Sequence, residues 1–126
     1  AVVVFDCHSI RSEIPFLFDH RLPDFNIGDN NGATCGTGLT RSVADVCAQA
    51  TDYSHVVNGR FRGGWTTRHY GRPTEGVHAI QMELAQRTYL IAEAPPFGFS
   101  EDKAAALRPI LKSILSEIER FALEQA

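Results

Sequence analysis

The chain has 126 residues, 44% hydrophobic and 21% charged, which suits one packed domain and excludes a disordered segment. Twelve Lys and Arg against fifteen Asp and Glu leave a net charge of −3, which argues against a general nucleic-acid binder. No apolar run is long enough to cross a bilayer, so no membrane partner is expected, and Ala1–Phe5 lacks the basic start and cleavage site of a signal peptide.

In chain order, Ala1 to Cys7 is a continuous apolar run ending in Asp6-Cys7-His8. Its β-branched content and lack of alternation suit a strand buried on both faces of a largely parallel sheet, with an N-terminal edge strand as the alternative. A chain that opens inside such a strand, without a methionine, reads as a piece of something longer. Ser9 to Gly38 is rich in Asp, Asn, Gly and Pro, with strong turn chemistry at Asp29-Asn30-Asn31-Gly32, and is expected to be a long functional loop. Thr40 is the expected N-cap of a helix whose apolar stripe, Val43, Val46 and Cys47, runs to about Ala50.

Val56-Val57 is a short strand candidate, and Val77 to Leu84 a second strand of high β content. Between them, Asn58 to Pro73 (NGRFRGGWTTRHYGRP) reads as a loop rich in glycine, arginine and aromatics. After a break at Pro95-Pro96-Phe97-Gly98, Ser100 caps a long helix with Glu101 and Asp102 in its first turn, where the dipole favours acids. Leu107, Ile110, Leu111, Ile114, Leu115, Ile118, Phe121 and Ala122 form one apolar face, while Pro109 predicts a kink or a restart. The order predicts a single α/β domain over residues 1–126, with a mixed, largely parallel sheet flanked by helices. The three cysteines, Cys7, Cys35 and Cys47, have no CxxC pair and fit reduced thiols in a cytoplasmic protein.

Three features carry chemistry. In a strand, residues two apart share a face, so Asp6 and His8 point together and Cys7 points away, which disfavours a Cys7–His8 nucleophile pair. A histidine at the carboxyl end of a sheet strand is a candidate zinc ligand, with Asp6 as the carboxylate that orients its ring; a hydrogen-bonded surface histidine is the rival reading. Glu83 is an acid in an otherwise neutral strand, Ile80 to Leu84, and is a candidate general base; a strand-end pair with Arg87 is the alternative. Arg60, Arg62, Arg68 and Arg72, with His69 and no acid, form a positive patch suited to an anionic small molecule, and Arg11 adds a further positive group. The rivals are a solvated loop whose arginines pair with surface acids, and a nucleic-acid strip, disfavoured because the patch is a single copy. His20, His55 and His78 show no ligand spacing and receive no role.

The segments DCHSIRSEIP (Asp6 to Pro15), NGRFRGGWTTRHYGRP (Asn58 to Pro73) and GVHAIQMELAQRTYL (Gly76 to Leu90), in this order, resemble the N-formylglutamate amidohydrolase family. The resemblance implies hydrolysis of N-formyl-L-glutamate to formate and L-glutamate in histidine breakdown, and a fold similar to zinc carboxypeptidases. It implies that His8 is the later of the zinc ligands and Glu83 the catalytic base. Arg68, then Arg60 and Arg11, are inferred from charge to hold the substrate's carboxylates. The two early zinc ligands of that group have no counterpart here, so the chain resembles the C-terminal portion of a catalytic domain. Zinc or another divalent ion is the implied cofactor. A non-enzymatic anion-binding domain and a related N-acyl amino-acid amidohydrolase are the alternatives, and the oligomeric state is left open.

Overall fold

A computed structural model describes residues 1–125. Four strands form one sheet in the order β1-β4-β2-β3: β1 (Val2–Ile10), β2 (Phe25–Gly28), β3 (His55–Val57) and β4 (Val77–Ala85). β1 runs parallel to β4 and β2 parallel to β3, while β2 and β4 are antiparallel. The expected mixed, largely parallel α/β sheet is therefore present. Three helices complete it: α1 (Thr37–Gln49), α2 (Trp65–Tyr70) and α3 (Glu101–Glu124).

β4 is central because it can be buried on both faces. Its even positions, Ile80 and Met82, join the core with Phe25 and Ile27 of β2, Leu39, Val43 and Cys47 of α1, and Leu107, Ile114 and Ile118 of α3. Its odd positions, Gln81 and Glu83, face the other way. The two-residue period thus separates a helix-covered hydrophobic face from a face that carries polar groups. Asn26 of β2 is fully enclosed on that second side, and its amide donates to the Glu83 carbonyl at 3.0 Å and to the Pro23 carbonyl at 2.7 Å.

Several local expectations are corrected. β1 is an edge strand of the sheet, the alternative reading, and not one buried on both faces, with Val2 59% exposed. The long stretch Ser9 to Gly38 is not all loop, since it contains β2. Only four residues long and wholly buried, β2 shows no alternation from which a strand could be read. The loop Asn58 to Pro73 contains α2, whose six residues are too few for a helical stripe. The first helix begins at Thr37 with Gly36 at the cap, not Thr40. The Thr40 hydroxyl instead donates to the buried Asp29 carboxylate at 2.6 Å. His78 has a structural role after all: it is buried and its Nδ1 accepts the Gly36 N–H at 3.0 Å, at the start of α1. Ser100 caps α3 as expected, accepting from the Lys103 N–H. That helix continues through Pro109, which lies on its exposed side. Leu115, placed on the apolar face by periodicity, is 53% exposed.

Candidate active site

On the polar face of the sheet a cleft of about 500 Å³ opens between β1, β4 and two loops. The sheet contributes His8, Gln81 and Glu83, and the glycine- and arginine-rich loop contributes Arg60, Arg62 and Arg68. Asn30 and Asn31 close one side.

His8 and Glu83 stand directly opposite each other in the β1–β4 register, and Asp6 stands opposite Gln81. Parallel pairing with alternation therefore puts all four side chains on one face. His8 Nε2 lies 2.8 Å from Asp6 Oδ2, and Nδ1 makes no hydrogen bond among the described residues. Cys7 points to the other side, where it lines a small apolar cavity with Phe5, Met82 and Leu84. Glu83 is 8% exposed. Burial pushes its carboxyl above the ordinary range; His8 opposes this, and Asp6 adds to the rise. Arg87, the neighbour that would have made Glu83 a structural ion pair, is instead bound to Asp24 at 2.9 Å.

The loops are held by a polar hub beneath them. Asp29, buried at the end of β2, accepts from the Gly32 N–H at 2.7 Å, the Asn58 amide at 2.6 Å and the Thr40 hydroxyl. This fixes the turn in which Asn30 and Asn31 adopt left-handed φ values of 51° and 55°, a region that Asn tolerates better than most residues. The Asn30 N–H donates to the Arg62 carbonyl at 2.7 Å and ties the two loops together. Gly28 is required at this junction, because a Cβ there would lie 2.5 Å from the Arg62 carbonyl oxygen.

Arg60, Arg62 and Arg68 are exposed, and among the described residues none is in an ion pair, in contrast to Arg72, which lies 3.7 Å from Glu75. The reading of the loop as a set of solvated surface ion pairs fails for these three. Arg60 donates through Nε to the Leu17 carbonyl at 3.0 Å and lies over the Phe61 ring. Arg68 donates through Nε to the Gly64 carbonyl at 3.3 Å. The cleft thus gathers His8, Glu83, Arg60 and Arg68, with Asp6 beside it. It does not gather Arg11, which is exposed beyond the end of β1 and absent from the lining.

Sequence reasoning missed Gln81, Asn30 and Asn31 as lining groups. Gln81 was accessible from alternation, being two residues before Glu83 on the same strand face. Asn30 and Asn31 carried only turn chemistry, and their approach to the arginine loop depends on β2, which was not foreseen.

For a metal, His8 with its Asp6 partner fits one position of a ligand set. Among the described residues no group of three or more His, Cys, Asp or Glu side chains is placed to hold an ion. A catalytic zinc takes about three protein ligands plus water. The described residues alone therefore do not make up such a ligand set.

A family model described as N-formylglutamate amidohydrolase matches residues 1–90. The N-formylglutamate deformylases of Pseudomonas putida and Pseudomonas aeruginosa are each 50% identical over 123 residues, 98% of this chain and 46% of their own length. The chain thus spans about half the length of these curated relatives. The crystal structure of N-formylglutamate amidohydrolase from Ralstonia eutropha JMP134 superposes with a TM-score of 0.80 at 24% identity, covering all of this chain and 46% of that one. At that identity the likeness shows a shared fold.

Proposed function

We propose that this chain, which belongs to the N-formylglutamate amidohydrolase family, carries the base and the carboxylate-holding groups of an enzyme that hydrolyses N-formyl-L-glutamate to formate and L-glutamate. One observation carries the reading. A buried acid and three arginines that have no acid partner among the described residues line one cleft.

The chemistry follows from the charges. The substrate is a dianion, and arginine forks bind carboxylates through paired N–H donors. Arg68 and Arg60 take these carboxylates, and the amide is thereby held toward the sheet. Glu83 removes a proton from water as its oxygen bonds to the formyl carbon. The same carboxyl then gives that proton to the amine nitrogen as the C–N bond breaks, leaving formate and glutamate. A base with an elevated pKa is better matched to this proton transfer near neutral pH. His8 is the metal ligand that this chain supplies, with Asp6 orienting its ring. When bound, zinc would polarise the formyl carbonyl and acidify water. Metal dependence, a role in histidine degradation and a cytoplasmic location belong to this proposal.

The test is Glu83→Gln in the full-length protein. It is expected to lower turnover by roughly 10²- to 10⁴-fold while substrate still binds. Near-normal turnover would sink the assignment of the base. The acid-free arginine cluster also favours a second reading, an anion-binding domain without catalysis. On that reading dicarboxylates bind after metal removal, and no protein variant or wild type turns substrate over.

A further inference from the structure

Gln81 lines the cleft yet is only 5% exposed. Its carboxamide oxygen accepts two hydrogen bonds, from the Gly64 N–H at 2.8 Å and from the Thr67 hydroxyl at 3.0 Å. Both donors belong to the segment that opens α2. The Gly64 carbonyl in turn accepts from the Arg68 N–H at 3.1 Å and from Arg68 Nε at 3.3 Å. A continuous run of hydrogen bonds therefore leads from the central strand through Gly64 to the guanidinium of Arg68. With Nε engaged, the Nη nitrogens remain for an anion.

We infer that Gln81 is a positioning residue that sets where the Arg68 guanidinium stands in the cleft, and so determines preference for a substrate with a side-chain carboxylate. The inference rests on the proposed role of the arginine cluster as a carboxylate holder. Gln81 shares its strand face with Glu83, two residues on, so the group that anchors the arginine and the group that acts as base ride on one rigid element. Small displacements of such groups carry large kinetic penalties. Glutamine is suited to this position. Its oxygen accepts both bonds, whereas a glutamate would place a second acid beside Glu83. Methionine has similar length and would accept neither bond well.

The experiment uses the full-length protein with Q81M, R68M and the double variant, and two readouts. Calorimetric titration with glutarate, an unreactive dicarboxylate, is expected to show binding weakened about tenfold by Q81M, and the double variant no weaker than R68M alone. KM for N-formyl-L-glutamate is expected to rise about tenfold in Q81M, with kcat and the KM for N-formyl-L-glutamine, which lacks the side-chain carboxylate, within about twofold. If Q81M does not fold, Thr67→Val removes one of the two donors and carries the same test at smaller amplitude. Additive losses in the double variant, or equal losses on both substrates, would overturn the inference, because Gln81 would then act independently of Arg68. Failure of the wild-type protein to bind glutarate would instead remove the carboxylate-holding reading, and the inference with it.

Discussion

In the proposed reaction Glu83 is the base, and its burial has two consequences that can be separated. Its folded pKa lies above the ordinary carboxylate value of about 4.3 because burial disfavours the charged form. Between the unfolded and the folded pKa the native protein holds the extra proton, so stability falls as pH rises through that window. Above that window the ionised, buried carboxylate is thus a cost to the fold. Glu83→Gln is accordingly expected to be at least as stable as wild type at pH 7 while turnover collapses, as read by thermal unfolding beside kinetics. The acidic limb of kcat/KM is expected above the ordinary carboxylate range and to vanish with this substitution. A variant that lost stability and activity together would mark Glu83 as structural. The arginines divide in the same way. Arg68→Met is expected to raise KM for N-formyl-L-glutamate by about tenfold or more, the scale of a lost charge-assisted hydrogen bond. Arg11→Met, outside the cleft, is expected to leave KM within about twofold, since exposed positions away from such features matter little.

At the scale of elements, what could be read from the residues depended on length and periodicity. β4 and α3 were legible: one is a run of strand formers, the other carries a helical stripe behind a Ser cap and an acidic first turn. β2 and α2 were not, because four and six residues are too few for either period to show. The site followed the same rule. Asp6 and His8 lie on one long strand whose alternation fixed their common face, Glu83 joins them through the β1–β4 register, and Asn30 and Asn31 reach the cleft only through β2 and its buried hub. Periodicity also overreached on α3. Ile114 is fully buried, but its neighbour Leu115 is largely exposed because the sheet ends at edge strand β1 there. Ile114→Ala is therefore expected to cost about 2–5 kcal/mol in chemical unfolding. Leu115→Ala is expected to cost less than about 0.5 kcal/mol in this chain. Comparable losses at both positions would contradict the packing described.

At the scale of the whole molecule, the sheet acts as a partition. Two long helices cover one face and supply the core, which frees the other face to carry a histidine, an acid and a ring of arginines. The net charge of −3 hides this arrangement, because four of the twelve positive side chains sit in one loop that has no acid, while the fifteen acids lie elsewhere in the chain. The chain spans about half the length of its curated relatives, and on the proposed reading its His8 supplies one ligand of a metal site. The most direct measurement is a crystal structure of the full-length Glu83→Gln protein with N-formyl-L-glutamate bound. The side-chain carboxylate is expected on Arg68 and the formyl carbon facing residue 83 and His8. A substrate seated away from these residues, or with its formyl group turned from the sheet, would contradict the proposed reading.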